Sequence, residues 1–385
     1  MKKMFNFRER SQVEKFSLYF SIFRFVCAIV LALVLTLILM VSTTSSPLEA
    51  IKNLFIGPLT TMRRFSTVLE TAIPLTFSGL AICLMFTAKQ FNLAVEGGFY
   101  LGALTAAIVV INLNLPPVLA IIIAMICAMV VSAFVCLIPS YFSIKWEASE
   151  LVISLMLNYV CLYIGLYIFN HTIKDTNSAY QASTPFPEGI SLGRLIPKSR
   201  LHGGLFIVLV VVVITAILLY RTKWGYSLRV VGNNEKFGRY AGMGTAGIIL
   251  SSQLLGGSIA GLGGATEMIG MYQRFQWSTL PGFGFDGVVL NILARGNPLF
   301  IPVAAFAISY LRVGADYMYR QSDIASEIVS IIEALIIIFV ASDAFLDKYK
   351  QKILIKICTR QFEKKGKKEQ RRDGAKFDNN EVKHG

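Results

Sequence analysis

The sequence predicts an all-α fold: a polytopic helical membrane protein of about ten transmembrane helices. Three observations carry that expectation. Hydrophobic residues make up 55% of the 385, and mean hydropathy is +0.60. Charged residues make up only 16%, against about 25% in soluble domains. The apolar residues gather into repeated runs near the roughly 20 residues that span a bilayer. One membrane domain, 19–346, therefore takes up most of the chain.

Ten apolar segments are read in order, at roughly 19–41, 66–88, 91–111, 116–139, 148–170, 205–220, 246–272, 284–296, 298–314 and 326–346. The first follows a basic N-terminal segment, 1–18. It competes with a signal peptide, because Ser42–Ser46 are small. Its apolar run is longer than a usual signal core and no A-x-A site follows, which favours a retained helix. The second and third are separated by little more than Lys89 and Gln90. The eighth and ninth are short, and half-helices or a broken pair are tolerated in a membrane only under a cover of protein. Between spans lie a proline-bearing loop, 171–204, and a basic loop, 221–245. The basic tail, 347–385, is expected to be largely disordered.

The net charge of +14 does not point to nucleic acid. Lys364, Lys365, Lys367, Lys368, Arg371 and Arg372 sit in the tail after the last apolar segment, where basic residues fix orientation and touch anionic lipid. With the N-terminus inside, most Lys and Arg fall on the inner side, half of these in the tail. Both termini are then cytoplasmic, the loop 171–204 is outside and 221–245 is inside. An even number of spans is required, and eight also satisfies it. The six cysteines form no CxxC pair, and the three histidines lack metal spacing. The cysteines read as packing residues, and no metal site is expected.

Polar groups inside the apolar segments are the candidates for function. Asn92 and Glu96 lie one helical turn apart, just before Gly97 and Gly98. Asp286-Gly287 opens the eighth segment as Glu96-Gly97 opens the third. Under this topology the two run in opposite directions, as two inverted halves would; two dipeptides can also coincide by chance. Glu150, Ser154 and Asn158 share a face at i, i+4, i+8. Gln253, Gly257, Ala260, Gly264 and Glu267 share another, which must face protein or water. Helix packing is favoured over ligand lining as the reason for that stripe. Glu70 and Glu333 rank below Asn92 and Glu96, each a candidate to pair with Arg24 or Arg312 or to cap a helix. Trp277 and Phe283 could stack on a flat ligand or belong to an interfacial aromatic belt. In the inner loop, Asn233 to Tyr240 can form a short polar helix ended by Gly242. It is either a docking surface or a solvated connector.

A P-loop is absent, since the only Gly-Lys is Gly366-Lys367 in the tail. No G-x-S-x-G or H-E-x-x-H occurs. A driving force must then come from an ion gradient or another subunit.

Several stretches resemble bacterial ABC-importer permeases for nucleosides and simple sugars, the branched-chain-amino-acid type. Phe91-Asn92-Leu93-Ala94-Val95-Glu96-Gly97-Gly98 resembles that family's FNIGVEGQ motif. Glu150-Leu-Val-Ile-Ser-Leu-Met-Leu-Asn158-Tyr159 resembles its E-x-I-x-T-L-M-L-N-Y stretch. Leu228-Arg229-Val-Val-Gly232-Asn233 through Tyr240-Ala-Gly242 resembles its LRAVGxNPxAAxYAGI loop. Gly257-Ser-Ile-Ala-Gly261 and Gly282-Phe-Gly284-Phe-Asp286-Gly287 resemble its SGALAGLAGA and GYGFDG stretches. The chain departs at Gly98, at Glu235-Lys236-Phe237-Gly238 and at Ala294-Arg295.

The resemblance, closest to nucleoside permease subunits, implies a multi-pass bacterial cell-membrane subunit and no enzyme. It implies a cytoplasmic ABC ATPase, a second permease (a paralogue or a copy of itself), a substrate-binding lipoprotein and membrane lipid as partners. ATP and Mg would reside on the ATPase, with no cofactor on this chain. The coupling loop would use Arg229, Gly232, Asn233, Asn234, Glu235, Arg239, Tyr240 and Gly242. Asn92, Glu96, Asn158, Gln253 and Asp286 would line or shape the substrate pathway. The alternative is an ion-coupled transporter acting alone, with Glu96 or Asp286 carrying a proton.

Overall fold

The computed structural model describes residues 47–321 except 114, 179 and 198, together with 331 and 334. These include eight of the ten expected segments. The first and last segments, Arg24, Glu333 and the basic tail lie outside the described residues.

The chain is helical, as expected, with only isolated bridges as extended pairing among the described residues. A short helix α1 (Pro47–Ile56), not expected from the sequence, leads through a 3-10 turn into α2 (Met62–Thr87). Helices α3 (Val95–Asn112), α4 (Pro117–Trp146), α5 (Glu150–Thr172) and α6 (Gly204–Arg221) follow. Then come α7 (Lys223–Asn233), α8 (Glu235–Tyr240), α9 (Thr245–Met271), α10 (Phe283–Leu293) and α11 (Ile301–Gln321). Six of them, α2 to α6 and α9, are long and apolar enough to cross a membrane.

Local chemistry sets these limits. Thr61 caps α2 by accepting from the Arg64 N–H. Thr71, Thr76 and Thr87 return their hydroxyls to carbonyls four residues back, which satisfies them without an outside partner. Pro117 occupies the first turn of α4, where its missing N–H is no loss. That helix ends at Glu147 in the left-handed conformation, φ 53°.

Helix α9 is the centre of the packing, and small residues put it there. A Cβ on Gly256 would press on Met85 and Ala81 of α2, and one on Gly257 on Ser132 and Ala133 of α4. Gly261 faces Gly102 of α3 and Ala128 of α4; Gly264 faces the Phe99 backbone. Close backbone approach of this kind is how helices associate in lipid, where apolar burial gives no preference for protein over lipid. The expected stripe Gln253, Gly257, Ala260, Gly264 and Glu267 is buried throughout.

The exposed strips of α4 (Val118, Ile122, Ile126, Val130) and α6 (Phe206, Leu209, Val213, Ile217) are wholly apolar, as lipid-facing surfaces are. The strip on α5 differs, presenting Tyr159, Tyr163 and Tyr167.

The short eighth segment is a half-helix. Its 11 residues span roughly 16 Å, about half of a 30 Å hydrocarbon core. After α9, residues 272–282 turn back towards the middle of the bundle, and α10 starts beside Glu96. Val95, next to it, packs with Ala260 near the middle of α9. The chain leaves α10 through Arg295 and Gly296, both at positive φ, and α11 begins with Ile301 against Gly79 of α2. The loop 173–203 lies over the returning segment: Ser183 and Phe186 donate N–H groups to Phe275 and Gln273 carbonyls, each at 2.9 Å.

One expectation is corrected. The inner loop holds two helices, α7 and α8, where one from Asn233 to Tyr240 was expected. Asn234 is non-helical and its side chain caps α8 by accepting from the Phe237 N–H at 3.0 Å. Trp277 and Phe283, both half-buried, pack on Phe99, at 6.3 and 5.2 Å between ring centroids.

Candidate functional site

Between α2 and α3 the chain leaves the helical path at residues 88–94. Its backbone groups need partners inside the bundle, and polar side chains provide them. Asn158 donates Nδ2–H to the Leu93 carbonyl at 3.0 Å and accepts the Gly97 N–H at 2.9 Å. Ser154, one turn earlier on α5, accepts the Leu93 N–H at 3.1 Å. Asn92 accepts the Ala94 N–H at 2.9 Å, and its Nδ2 donates to the Cys136 carbonyl at 2.7 Å and to Gln253 Oε1 at 2.9 Å. One amide thus joins the unwound stretch to α4 and α9.

Glu96 completes this layer. Its two carboxylate oxygens accept the N–H groups of Gly282 and Gly284 at the start of α10. A carboxylate at a helix N-terminus satisfies orphan donors and complements the helix dipole. Gly284 has to be glycine here, because a Cβ would strike Glu96. Asn92, Glu96, Asn158 and Gln253 are each at most 1% exposed. Their observed hydrogen bonds go to the protein.

Asp286, in the first turn of α10 near Glu96, has a partner of its own. It holds Arg312 of α11 through two parallel bonds of 2.7 Å, the bidentate geometry that makes such pairs strong.

At one end of the bundle lie α7 and α8, joined at non-helical Asn234. Gly232 of α7 sits on the Thr87 carbonyl, the last residue of α2, so closely that no Cβ fits. Leu228 and Val231 pack with Leu84 and Ala88 in the same cluster. Arg229 is half-buried over the Tyr220 ring, 5.4 Å from its centroid. Asn233, Asn234, Glu235, Arg239 and Gly242 are exposed, and Tyr240 is 92% exposed. Glu235 and Arg239 pair across one turn of α8 at 3.4 Å.

Residues 64–341 match the family described as the permease component of branched-chain amino acid transport systems. The chain belongs to that family. Among its relatives, the glucose ABC transporter permease protein TsgB13 of Haloferax volcanii is 30% identical over 321 residues, 81% of this chain and 84% of the relative. The guanosine ABC transporter permease protein NupP of Bacillus subtilis is 31% identical over 277 residues, 70% of this chain and 78% of the relative. The nucleoside ABC transporter permease protein NupB of Lactococcus lactis is 28% identical over 314 residues, 79% and 86% of the two chains.

The permease is therefore a multi-pass membrane component of a transport system. A second group of buried polar residues lies away from the Asn92–Glu96 layer. Glu70 of α2, Glu267 and Thr266 of α9, and His202 before α6 meet at the end opposite α7 and α8. All four are buried. Burial pushes the His202 imidazole down to about 4 from its usual 6.5, so the ring is neutral at physiological pH. In sequence, Glu70 and Glu267 stood out only as separate acids within apolar runs. Nothing in sequence brought Glu70 or His202 to Glu267.

Proposed function

We propose that this permease is the membrane subunit of an ATP-driven ABC importer for nucleosides or related simple sugars. The observation that carries this reading is the join between α7–α8 and the unwound stretch. The exposed Phe237 and Tyr240 of α8 offer a cytoplasmic ABC ATPase an aromatic knob. Gly232 presses on Thr87, and the unwound residues 88–94 begin immediately after it. A displacement of α7 is thereby passed to Asn92, Glu96 and the start of α10. ATP and Mg bind on the ATPase and bias two packings of the bundle, and the substrate moves through its different affinity for each. Asn92, Glu96, Asn158 and Gln253 shape the pathway by holding broken helices in place, and Asp286 does so through Arg312. No bond in the substrate changes.

In this reading the α7–α8 end is cytoplasmic, as are both termini. The loop 173–203 faces outward and receives a substrate-binding lipoprotein. A cavity of about 390 Å³ there is lined by Arg194, Arg200, Tyr272 and Arg274. The tyrosine strip of α5 receives the second permease, because three phenol hydroxyls are poorly suited to lipid. The basic tail touches anionic lipid. The ion-coupled alternative gains less support, since the carboxyls of Glu96 and Asp286 are both engaged as acceptors.

The test is purification in mild detergent from native membranes, followed by reconstitution. A stoichiometric P-loop ATPase is expected with the chain, together with ATP-dependent uptake of guanosine or glucose that an uncoupler leaves intact. A chain that comes out alone and takes up substrate only with an ion gradient sinks the proposal.

A further inference from the structure

Glu70 on α2 and Glu267 on α9 are each 4% exposed. In each, the Oε2 oxygen has no hydrogen-bond partner among the described residues. The two carboxyls are close enough to act on each other electrostatically, and Arg200 acts on Glu70 from the loop before α6. His202 closes the group. Its ring lies against Gly270 of α9, and Gly204 packs on both that ring and the Thr266 methyl. His202 Nδ1 accepts the Gly204 N–H at 3.1 Å, so the hydrogen of the neutral ring sits on Nε2. That Nε2 and the Thr266 hydroxyl are also without partners among the described residues, at 1% and 0% exposure. Buried polar groups are normally paired. Here four without a partner among the described residues lie on three neighbouring elements.

Their chemistry is selective. Two carboxyls repel an anion. An N–H donor and the nearby Arg200 do not suit a cation. A neutral molecule with adjacent hydroxyls suits all four, because each O–H can donate to a carboxyl oxygen while its oxygen accepts from His202 or Thr266. Aromatic rings flank the group: Tyr272 packs edge-on against Trp277 at 5.8 Å, and Trp277 stacks on Phe99. Such rings offer a face to a flat or sugar ring. The cavity lined by Arg200, Gly270 and Tyr272 lies about one helical turn beyond Glu267.

The geometry points to a hydroxyl-reading site formed by Glu70, Glu267, His202 and Thr266, which takes the pentose or hexose of the transported molecule. This rests on the importer reading above and adds to it the part of the substrate that is read.

The test uses the reconstituted importer with its co-purified ATPase. Uptake of guanosine is compared with 2′,3′-dideoxyguanosine, and uptake of glucose with 2-deoxyglucose. The intact importer should prefer the fully hydroxylated member of its pair by at least about tenfold, as sites that bond a substrate hydroxyl do. Glu267→Gln, Glu70→Gln and Thr266→Val should each draw that ratio towards one. Should the glutamine variants fail to assemble, Thr266→Val decides. Ratios unchanged in every assembled variant overturn the site and leave the importer reading standing. Absence of ATP-dependent uptake of all four probes by the intact complex overturns the importer reading, and the site falls with it.

Discussion

At the residue scale, the polar side chains of the bundle stand in for missing backbone partners. Glu96 shows how specific that substitution is. Its two oxygens meet two N–H donors. In Glu96→Gln one of those donors would face an NH2 group instead of an acceptor. The variant should lose about 1–3 kcal/mol of stability, read as a lower thermal midpoint in detergent, and should impair uptake more than Glu333→Gln does. The reverse order in uptake would remove Glu96 from its position. His202 makes a second prediction. The unfolded imidazole takes up its proton as pH falls through about 6.5, and the folded one not until about 4. Stability is therefore fully present above 6.5 and declines towards pH 4, by on the order of 3 kcal/mol. His202→Asn, which retains an acceptor for the Gly204 N–H, should flatten the fall of thermal midpoint across that window. Superimposable curves for the two proteins would show that His202 does not titrate this way.

At the element scale, the glycines of α9 decide how near its neighbours come. Gly264→Val would drive a side chain into the Phe99 backbone of α3, with Ala103 N only 2.9 Å from the new Cβ. Overpacking of this kind costs about 1–3 kcal/mol, and backbone has less room to yield than side chains. Reduced yield of folded protein and a lower midpoint are expected; wild-type stability would mean that α3 and α9 separate easily. The segment Gly232–Gly242 tests transmission. Replaced by a flexible linker, it should leave the protein in the membrane but abolish ATP-coupled uptake, and normal uptake would end its assignment as a coupling element. Inverted symmetry is not expressed in matching roles for the two acids. Glu96 caps α10, whereas Asp286 grips Arg312.

At the scale of the whole molecule, the contrast between exposed strips predicts assembly. Tyr159, Tyr163 and Tyr167 changed together to Leu should leave the fold intact and reduce recovery of a second permease on co-purification. Undiminished recovery would move the interface to another face. The eight segments that can be compared were legible because an apolar run of bilayer length has few alternatives to a helix. Amphipathic α1 and α7 were not, since short helices with polar faces resemble connectors in sequence. Asn92, Glu96, Asn158 and Gln253 were legible as unusual, because polar groups in apolar runs stand out. Their partners were not, since each bond joins residues far apart in the chain. Asn92 reaches Gln253, and Glu96 reaches Gly282 and Gly284.

The sequence by itself determined the helical membrane class, the order of the spans, a break at Lys89 and Gln90 and another before α10, and the family, because these follow from local hydropathy and contiguous motifs; that the first break runs on to residue 94 came from the structure. Only the tertiary structure decided that Glu96 caps a half-helix beside the middle of α9, that Asp286 belongs to Arg312, and that Glu70, His202 and Glu267 lie on neighbouring elements. The reason is physical: in a bundle without an apolar driving force between helices, close glycine contacts and long-range hydrogen bonds set which faces meet.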